Sequence, residues 1–174
     1  MLRDHGMNPA KRYWHDEVGF NYRLTNLQAA IGCAQLEQID GFLARKKSIA
    51  KRYVERFAGA AEIECPRVLD GFDNSYWVFS VAVDRAQVDL DRDDLIARLG
   101  EAGIDSRPLF YCMHEMPPYK GYAGNREFPV AKRLSATGLS LPSSTSIRDD
   151  EIDFVAGTFR RILDARRLAR KIAA

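Results

Sequence analysis

The chain has 174 residues, a net charge of +2, 46% hydrophobic and 29% charged residues, the mixture of an ordinary globular protein with enough length for a real core. So mild a basic balance argues against a nucleic acid or an anionic membrane surface as partner. Three widely spaced cysteines, Cys33, Cys65 and Cys112, exclude a disulfide framework and offer no pair at metal-ligand spacing; with no apolar run long enough for a bilayer and no signal-peptide pattern, a reduced, cytoplasmic setting is expected.

Met1 to Gly6 reads as the last turn of a helix with a glycine cap, which leads us to expect that the chain is part of a longer protein. Met7 to Phe20 is loop-like, with a turn at Asn8-Pro9. Thr25 and Gln28 fit a capping box, and the spacing of Leu27, Ile31, Ile39, Leu43, Ile49, Tyr53 and Phe57 predicts one dominant helix to about Gly59, bent at Gly41. Its first half is rich in small residues, Cys33 among them, and is expected to pack on several sides. Its second half carries Arg45, Lys46, Lys47, Lys51 and Arg52 and is expected to be solvated.

Residues 60–74 read as a connector and Tyr76 to Val83 as the clearest strand. Asp91 caps a short helix, Ile104 to Tyr111 forms a strand that Pro108 confines to an edge, and Pro129 opens a helix running to about Ser135. Gly138 to Pro142 is a short strand, and Ser146 with Asp149 starts a last helix with Ile152, Val155, Phe159 and Ile162 inward. The basic run from Arg160 through Arg166-Arg167 to Arg170-Lys171 suits the C-terminal part of that helix, where cations complement the dipole. The pattern predicts an α+β fold, a meander-like antiparallel sheet with helices on one face.

The stretch Gly19-Phe20-Asn21-Tyr22-Arg23-Leu24-Thr25-Asn26-Leu27-Gln28-Ala29-Ala30-Ile31-Gly32 resembles a signature of the DegT/StrS-type sugar aminotransferases, pyridoxal-phosphate enzymes of the aspartate-aminotransferase fold. Arg3 to Met7, Gly103 to Tyr111 with His114 and Pro117, and Phe128-Pro129 through Leu139 to Pro142 resemble further family segments in the same order. The resemblance runs nearly end to end, and it is nearest to members that make perosamine-like 4-amino sugars. It implies the C-terminal small domain of that fold, with residues 1–24 an interface segment, 25–59 a connecting helix and 60–174 the small α+β domain. It also implies a reaction in which an amino group passes from an amino acid, usually glutamate, to a keto group on a nucleotide-linked sugar.

By the same resemblance, Asn21 reaches a cofactor phosphate across a dimer interface, and Arg23 beside it meets that phosphate or the donor's carboxylate; the alternative is a loop that only caps the helix. Arg107, Tyr111 and His114 are implied to face the sugar nucleotide, against a surface ion pair for Arg107 and a structural hydrogen bond for His114. Cys112 stands where the family pattern has proline. The Schiff-base lysine, which the family carries in a Ser-x-x-Lys context upstream of the matched segments and ahead of a glycine-rich strand, is expected to have no counterpart among Lys11, Lys46, Lys47, Lys51, Lys120, Lys132 and Lys171. No catalytic residue is therefore assigned, and the chain alone is expected not to transaminate. His5 and His15 have no partner at ligand spacing, so no metal site is read. Three functions compete: part of a sugar aminotransferase completed by a second copy or by a chain carrying the large domain, a non-catalytic dimerisation module of the same fold, and a nucleic-acid binder using basic helix faces. Without a large domain, the apolar face of Leu27 and Ile31 is expected to be exposed.

Overall fold

A computed structural model describes residues 2–173, with the side chains of 169–173 outside the described set, so the expectation for Arg170 and Lys171 lies outside it. The chain divides into two compact units, Met1–Gly41 and Phe42–Ala174.

In the first unit the chain start is not a helix end. Asp4 bridges Asn21 and Met7 bridges His15, both antiparallel. The His5 amide donates to the Phe20 carbonyl at 2.9 Å and the Tyr22 amide to that of Arg3 at 2.9 Å. Gly6 makes this possible. It has φ +69°, and a Cβ there would stand 2.1 Å from the Glu17 carbonyl oxygen. The glycine taken for a helix cap is therefore the crossing point of two backbone segments.

Helix α1 spans Asn26–Leu36. The capping box is present: the Gln28 amide donates to Thr25 Oγ1, and the Thr25 amide to Gln28 Oε1. The expected single long helix is interrupted at Glu37-Gln38, and α2 begins at Ile39 and ends at Phe57. Gly41 lies inside α2 rather than at the break. The expected burial of the two halves is also reversed. No residue of α1 is buried, and Cys33, read as a small core residue, is exposed. The cation-rich helix α2 instead buries Ile49, Ala50, Tyr53 and Phe57. It does so because its charges lie beside carboxylates and carbonyls. Arg52 and Arg56 both grip Asp153, and Lys46 Nζ donates to the carbonyls of Trp77 at 2.8 Å and Ser143 at 2.5 Å.

The second unit holds a four-stranded sheet of β1 (Ile63–Glu64), β2 (Phe79–Val83), β3 (Arg107–Pro108) and β4 (Gly138–Leu141). All pairs are antiparallel, but the order β1-β2-β4-β3 places β4 between β2 and β3, so the sheet is not a simple meander. β1 was read as connector. β2 starts later than expected, because Tyr76 has φ +47° and its amide donates to Asn74 Oδ1 at 2.8 Å. β3 is shorter than the sequence suggests and sits at the edge, where Pro108 forfeits no ladder bond it needs.

Helix α3 (Arg92–Glu101) is capped by Asp91 as predicted, and α4 (Pro129–Thr137) starts at its proline. Helix α5 (Asp149–Ala173) starts just after Ser146, with Glu151 Oε2 accepting from the Arg148 amide at 2.8 Å. Ile152, Val155, Ala156, Phe159 and Leu163 of α5 enter the core with Tyr53, Phe57, Phe79, Val81, Leu95, Leu99, Leu139 and Leu141; Ile162 is only partly buried. The rings of Tyr53 and Phe79 stack with centroids 4.8 Å apart.

Candidate functional site

Asn21 and Arg23 sit in the first unit, on the segment pinned to residues 2–6. The rings of Phe20 and Tyr22 stack at 5.1 Å and 9°, so the intervening Asn21 occupies the other face of this extended stretch. Its amide makes no side-chain hydrogen bond among the described residues. Arg23 is largely exposed and forms one ion pair, Nη1 to Asp4 Oδ2 at 3.1 Å. An amide and a guanidinium two residues apart, just ahead of a helix N-terminus, make a donor set for an oxyanion.

Arg107, Tyr111 and His114 belong to the second unit. No hydrogen bond or ring contact joins these three to one another. Arg107 is exposed on the edge strand and lies 3.6 Å from Asp105. It lines a cavity of about 860 Å³ with Lys46, Trp77, Ser143, Arg148 and Phe154. Trp77 also stacks with Phe110, both rings exposed, at 6.4 Å and 12°. Burial against the two carbonyls lowers the Lys46 pKa from the ordinary lysine value.

Tyr111 is met by a residue the sequence did not single out. Arg92, the first residue of α3, is buried, and its guanidinium stands 5.6 Å from the Tyr111 ring centroid. It also bonds Asp93 at 2.8 Å and the Ser135 carbonyl. The hydrogen bond to Asp93 leads the causes that raise its pKa further. Arg92 thus ties α3, the end of α4 and the loop after β3 together. His114 lies in a 3₁₀ turn, Met113–Glu115, with its ring tilted on Phe128 at 4.5 Å. Its Nε2 is buried without a hydrogen-bond partner among the described residues. The same turn brings Cys112, His114 and Glu115 together, a grouping that a search for cysteine pairs passes over.

The signature of the DegT/DnrJ/EryC1/StrS aminotransferase family matches residues 1–160. The chain belongs to this family. Among curated relatives it is 39% identical over 151 residues to GDP-perosamine synthase of Vibrio cholerae, covering 87% of this chain and 41% of that one. It is 37% identical over 164 residues to GDP-perosamine synthase of Caulobacter vibrioides, covering 94% and 44%. The chain thus spans less than half the length of these relatives. Among solved structures, the aminotransferase TlmJ of Streptoalloteichus hindustanus superposes with TM-score 0.81 at 25% identity, over 94% of this chain and 43% of that one. Spr1654 of Streptococcus pneumoniae, in its PMP form, gives 0.84 at 25%, over 98% and 43%. The α+β arrangement described here is therefore shared with aminotransferases of this family.

Pyridoxal phosphate, the cofactor the family implies, finds only part of what it needs among these residues. Asn21 and Arg23 suit its phosphate. For its aldehyde, and contrary to the expectation, one lysine does stand in a Ser-x-x-Lys spacing, Lys51 after Ser48, but it lies exposed in the middle of α2, 3.9 Å from Glu55. Lys46 is held by two carbonyls, Lys11 lies 3.7 Å from the Trp14 ring centroid, and Lys47, Lys51 and Lys132 pair with carboxylates. Each of these five lysines is thus held beside another group of the chain.

Proposed function

We propose that this chain is the C-terminal part of a cytoplasmic, pyridoxal-phosphate-dependent aminotransferase that moves an amino group from glutamate to a keto group of a GDP-linked sugar, in the manner of perosamine synthesis. The observation that carries this reading is the match to three GDP-perosamine synthases at 35–39% identity, across 87–94% of the chain. The cofactor, when bound in the whole enzyme, supplies the electron sink. Residues 1–24 form an interface segment, 25–59 the connection and 60–174 the small domain. Asn21 and Arg23 are lent to the anionic end of a site whose lysine comes from outside this chain, so the chain alone does not turn over.

Within the second unit, Arg107 presents a guanidinium to the cavity that Trp77 lines, and Trp77 stacks with Phe110; Tyr111, beside Phe110 in sequence, is the second substrate-side residue on this reading. A cation beside a stacked aromatic surface suits a molecule that joins a diphosphate to a base. His114 is the third substrate-side residue on this reading. The wholly exposed helix α1 favours a second reading, a dimerisation module of the same fold without catalysis.

A chimera separates the two. The matched segment of Vibrio cholerae GDP-perosamine synthase is replaced by this chain, and transfer of the glutamate amino group to a GDP-linked keto sugar is measured. Transfer that falls at least about tenfold with Asn21→Ala supports the composite site, the loss expected for a removed phosphate contact of about 1.4 kcal/mol. A soluble chimera that takes up pyridoxal phosphate but forms no amino sugar sinks the enzymatic reading. Turnover by the chain alone overturns the claim that its site is incomplete.

A further inference from the structure

The turn after β3 brings together three kinds of metal ligand. One donor atom from each of Cys112, His114 and Glu115 lies within 4.8 Å of the other two. Cys112 is buried and the Glu115 side chain half-exposed. His114 Nε2 is one of only two buried side-chain polar atoms left without a hydrogen-bond partner among the described residues, the other being Ser106 Oγ. An imidazole nitrogen in that position forfeits the interaction that would offset its desolvation. A bound cation supplies one.

We propose that Cys112, His114 and Glu115 form a three-ligand site for a borderline divalent cation of the zinc class. A thiolate, an imidazole and a carboxylate are the donors that zinc takes, and three protein ligands leave a fourth position for water or another ligand. Bonds of about 2.0–2.3 Å at tetrahedral angles place the donors roughly 3.3–3.8 Å apart. The present spacing therefore closes by about 1 Å on binding, a movement that a half-exposed glutamate makes by rotation. Its competitor is Lys132, whose Nζ stands 3.7 Å from Glu115 in a solvent-exposed pair of little strength. Phe128, packed on the His114 ring at 4.5 Å, closes one side against solvent. All three ligands fall within four consecutive residues, so the ion clips the turn that follows Tyr111. The site shares His114 with the substrate side of the proposed amino transfer, and a metal titration reads it without turnover.

The test uses the whole chain, stripped with a chelator and titrated with Co²⁺, then with Zn²⁺ in competition. One equivalent of Co²⁺ giving a thiolate-to-cobalt charge-transfer band, displaced by Zn²⁺, is the expected result. Cys112→Ser abolishes the band, and a Cys33→Ser, Cys65→Ser double variant keeps it. Glu115→Gln, at a half-exposed side chain that folding does not need, weakens binding at least about tenfold, no less than the loss of an outer-shell partner. No band in the unmodified chain, a band surviving Cys112→Ser, or an affinity unmoved by Glu115→Gln each overturns the proposal. Should Cys112→Ser fail to fold by circular dichroism, the Glu115→Gln titration decides alone.

Discussion

Tyr53→Phe isolates one hydroxyl in the centre of the second unit. Tyr53 is fully buried, and its hydroxyl donates to the Pro142 carbonyl at 2.8 Å. The substitution keeps the ring, and with it the stacks on Phe79 at 4.8 Å and Phe57 at 6.0 Å. It loses the net hydrogen bond, about 0.5–1.5 kcal/mol, and strands a carbonyl whose desolvation costs about 1–3 kcal/mol, so a loss of about 2 kcal/mol is expected at neutral pH. At roughly 2–4 °C per kcal/mol for a chain of this size, the melting midpoint falls by about 4–8 °C. The pH dependence gives a second, independent signature. Burial raises the Tyr53 pKa well above its ordinary 10.0. The folded state then holds a proton that the unfolded state releases, so the contribution is fully present below pH 10.0 and is lost as pH rises beyond it. The slope approaches about 1.4 kcal/mol per pH unit in the unmodified chain and is absent from the variant. Urea unfolding of both proteins from neutral to strongly alkaline pH measures the difference. Parallel pH profiles, or a neutral-pH loss below about 0.5 kcal/mol, would refute the reasoning, since either means that the hydroxyl is not held in a water-free contact.

Two further outcomes follow from the geometry. Asp153 accepts from Arg52 at 2.8 Å and from Arg56 at 2.7 Å, and the hydrogen bonds from Arg52 and then Arg56 lead the causes that hold its pKa at about 2 instead of 3.8. Its folded value is the lower one, so its contribution is present above pH 3.8 and disappears as pH falls towards about 2; Asp153→Asn should flatten the urea midpoint across that window, and an unchanged acid limb would contradict the assignment. Gly6→Ala places a Cβ 2.1 Å from the Glu17 carbonyl at a φ of +69°, a strain of about 1–3 kcal/mol before the clash is counted. The Phe20 and Tyr22 amides, which donate to the carbonyls of Leu2 and Arg3, should then exchange hydrogen at least about tenfold faster; unchanged protection would show that the crossing of the two segments does not depend on this glycine.

Features set by neighbouring residues were legible in the sequence. The capping box of Thr25 and Gln28, the Asp91 cap, Pro129 at the start of α4 and the apolar stripe of α5 each rest on residues within one or two turns of each other. Features set by distant partners were not. β1 is two residues long and exists through its pairing with Val83 and Ala82, which no local pattern announces. Arg92 is a first-turn arginine that composition places in solvent, yet the Ser135 carbonyl and the Tyr111 ring hold it in the interior. Lys46 and Arg52 made α2 look solvated for the same reason: their acceptors, the carbonyls of Trp77 and Ser143 and the carboxylate of Asp153, come from elsewhere in the chain. Of the candidate site, Asn21, Arg23, Arg107, Tyr111 and His114 were named through the resemblance of the segments that carry them to family segments. The antiparallel pinning of the Asn21 segment, and the meeting of Cys112 with His114 and Glu115, required the fold.

The distribution of apolar surface separates the two units in a way that bears on function. The second unit meets its hydrophobic positions with its own partners: α2, α3 and α5 each bury their apolar stripe in one core with β2 and β4. The first unit does not. Phe20, Tyr22, Leu24, Leu27, Ile31 and Leu36 are all exposed, and α1 buries nothing. A capped helix with small residues along it, Ala29, Ala30, Gly32 and Ala34, admits close approach by another backbone, and leaving such a face in water forgoes the stabilisation that its burial would bring. The same run of residues carries the family signature and Asn21 and Arg23, the proposed oxyanion donors. Apolar surface in need of a cover and polar groups in need of a ligand thus occupy one stretch of chain. That coincidence supports a site completed by other protein over a self-contained one.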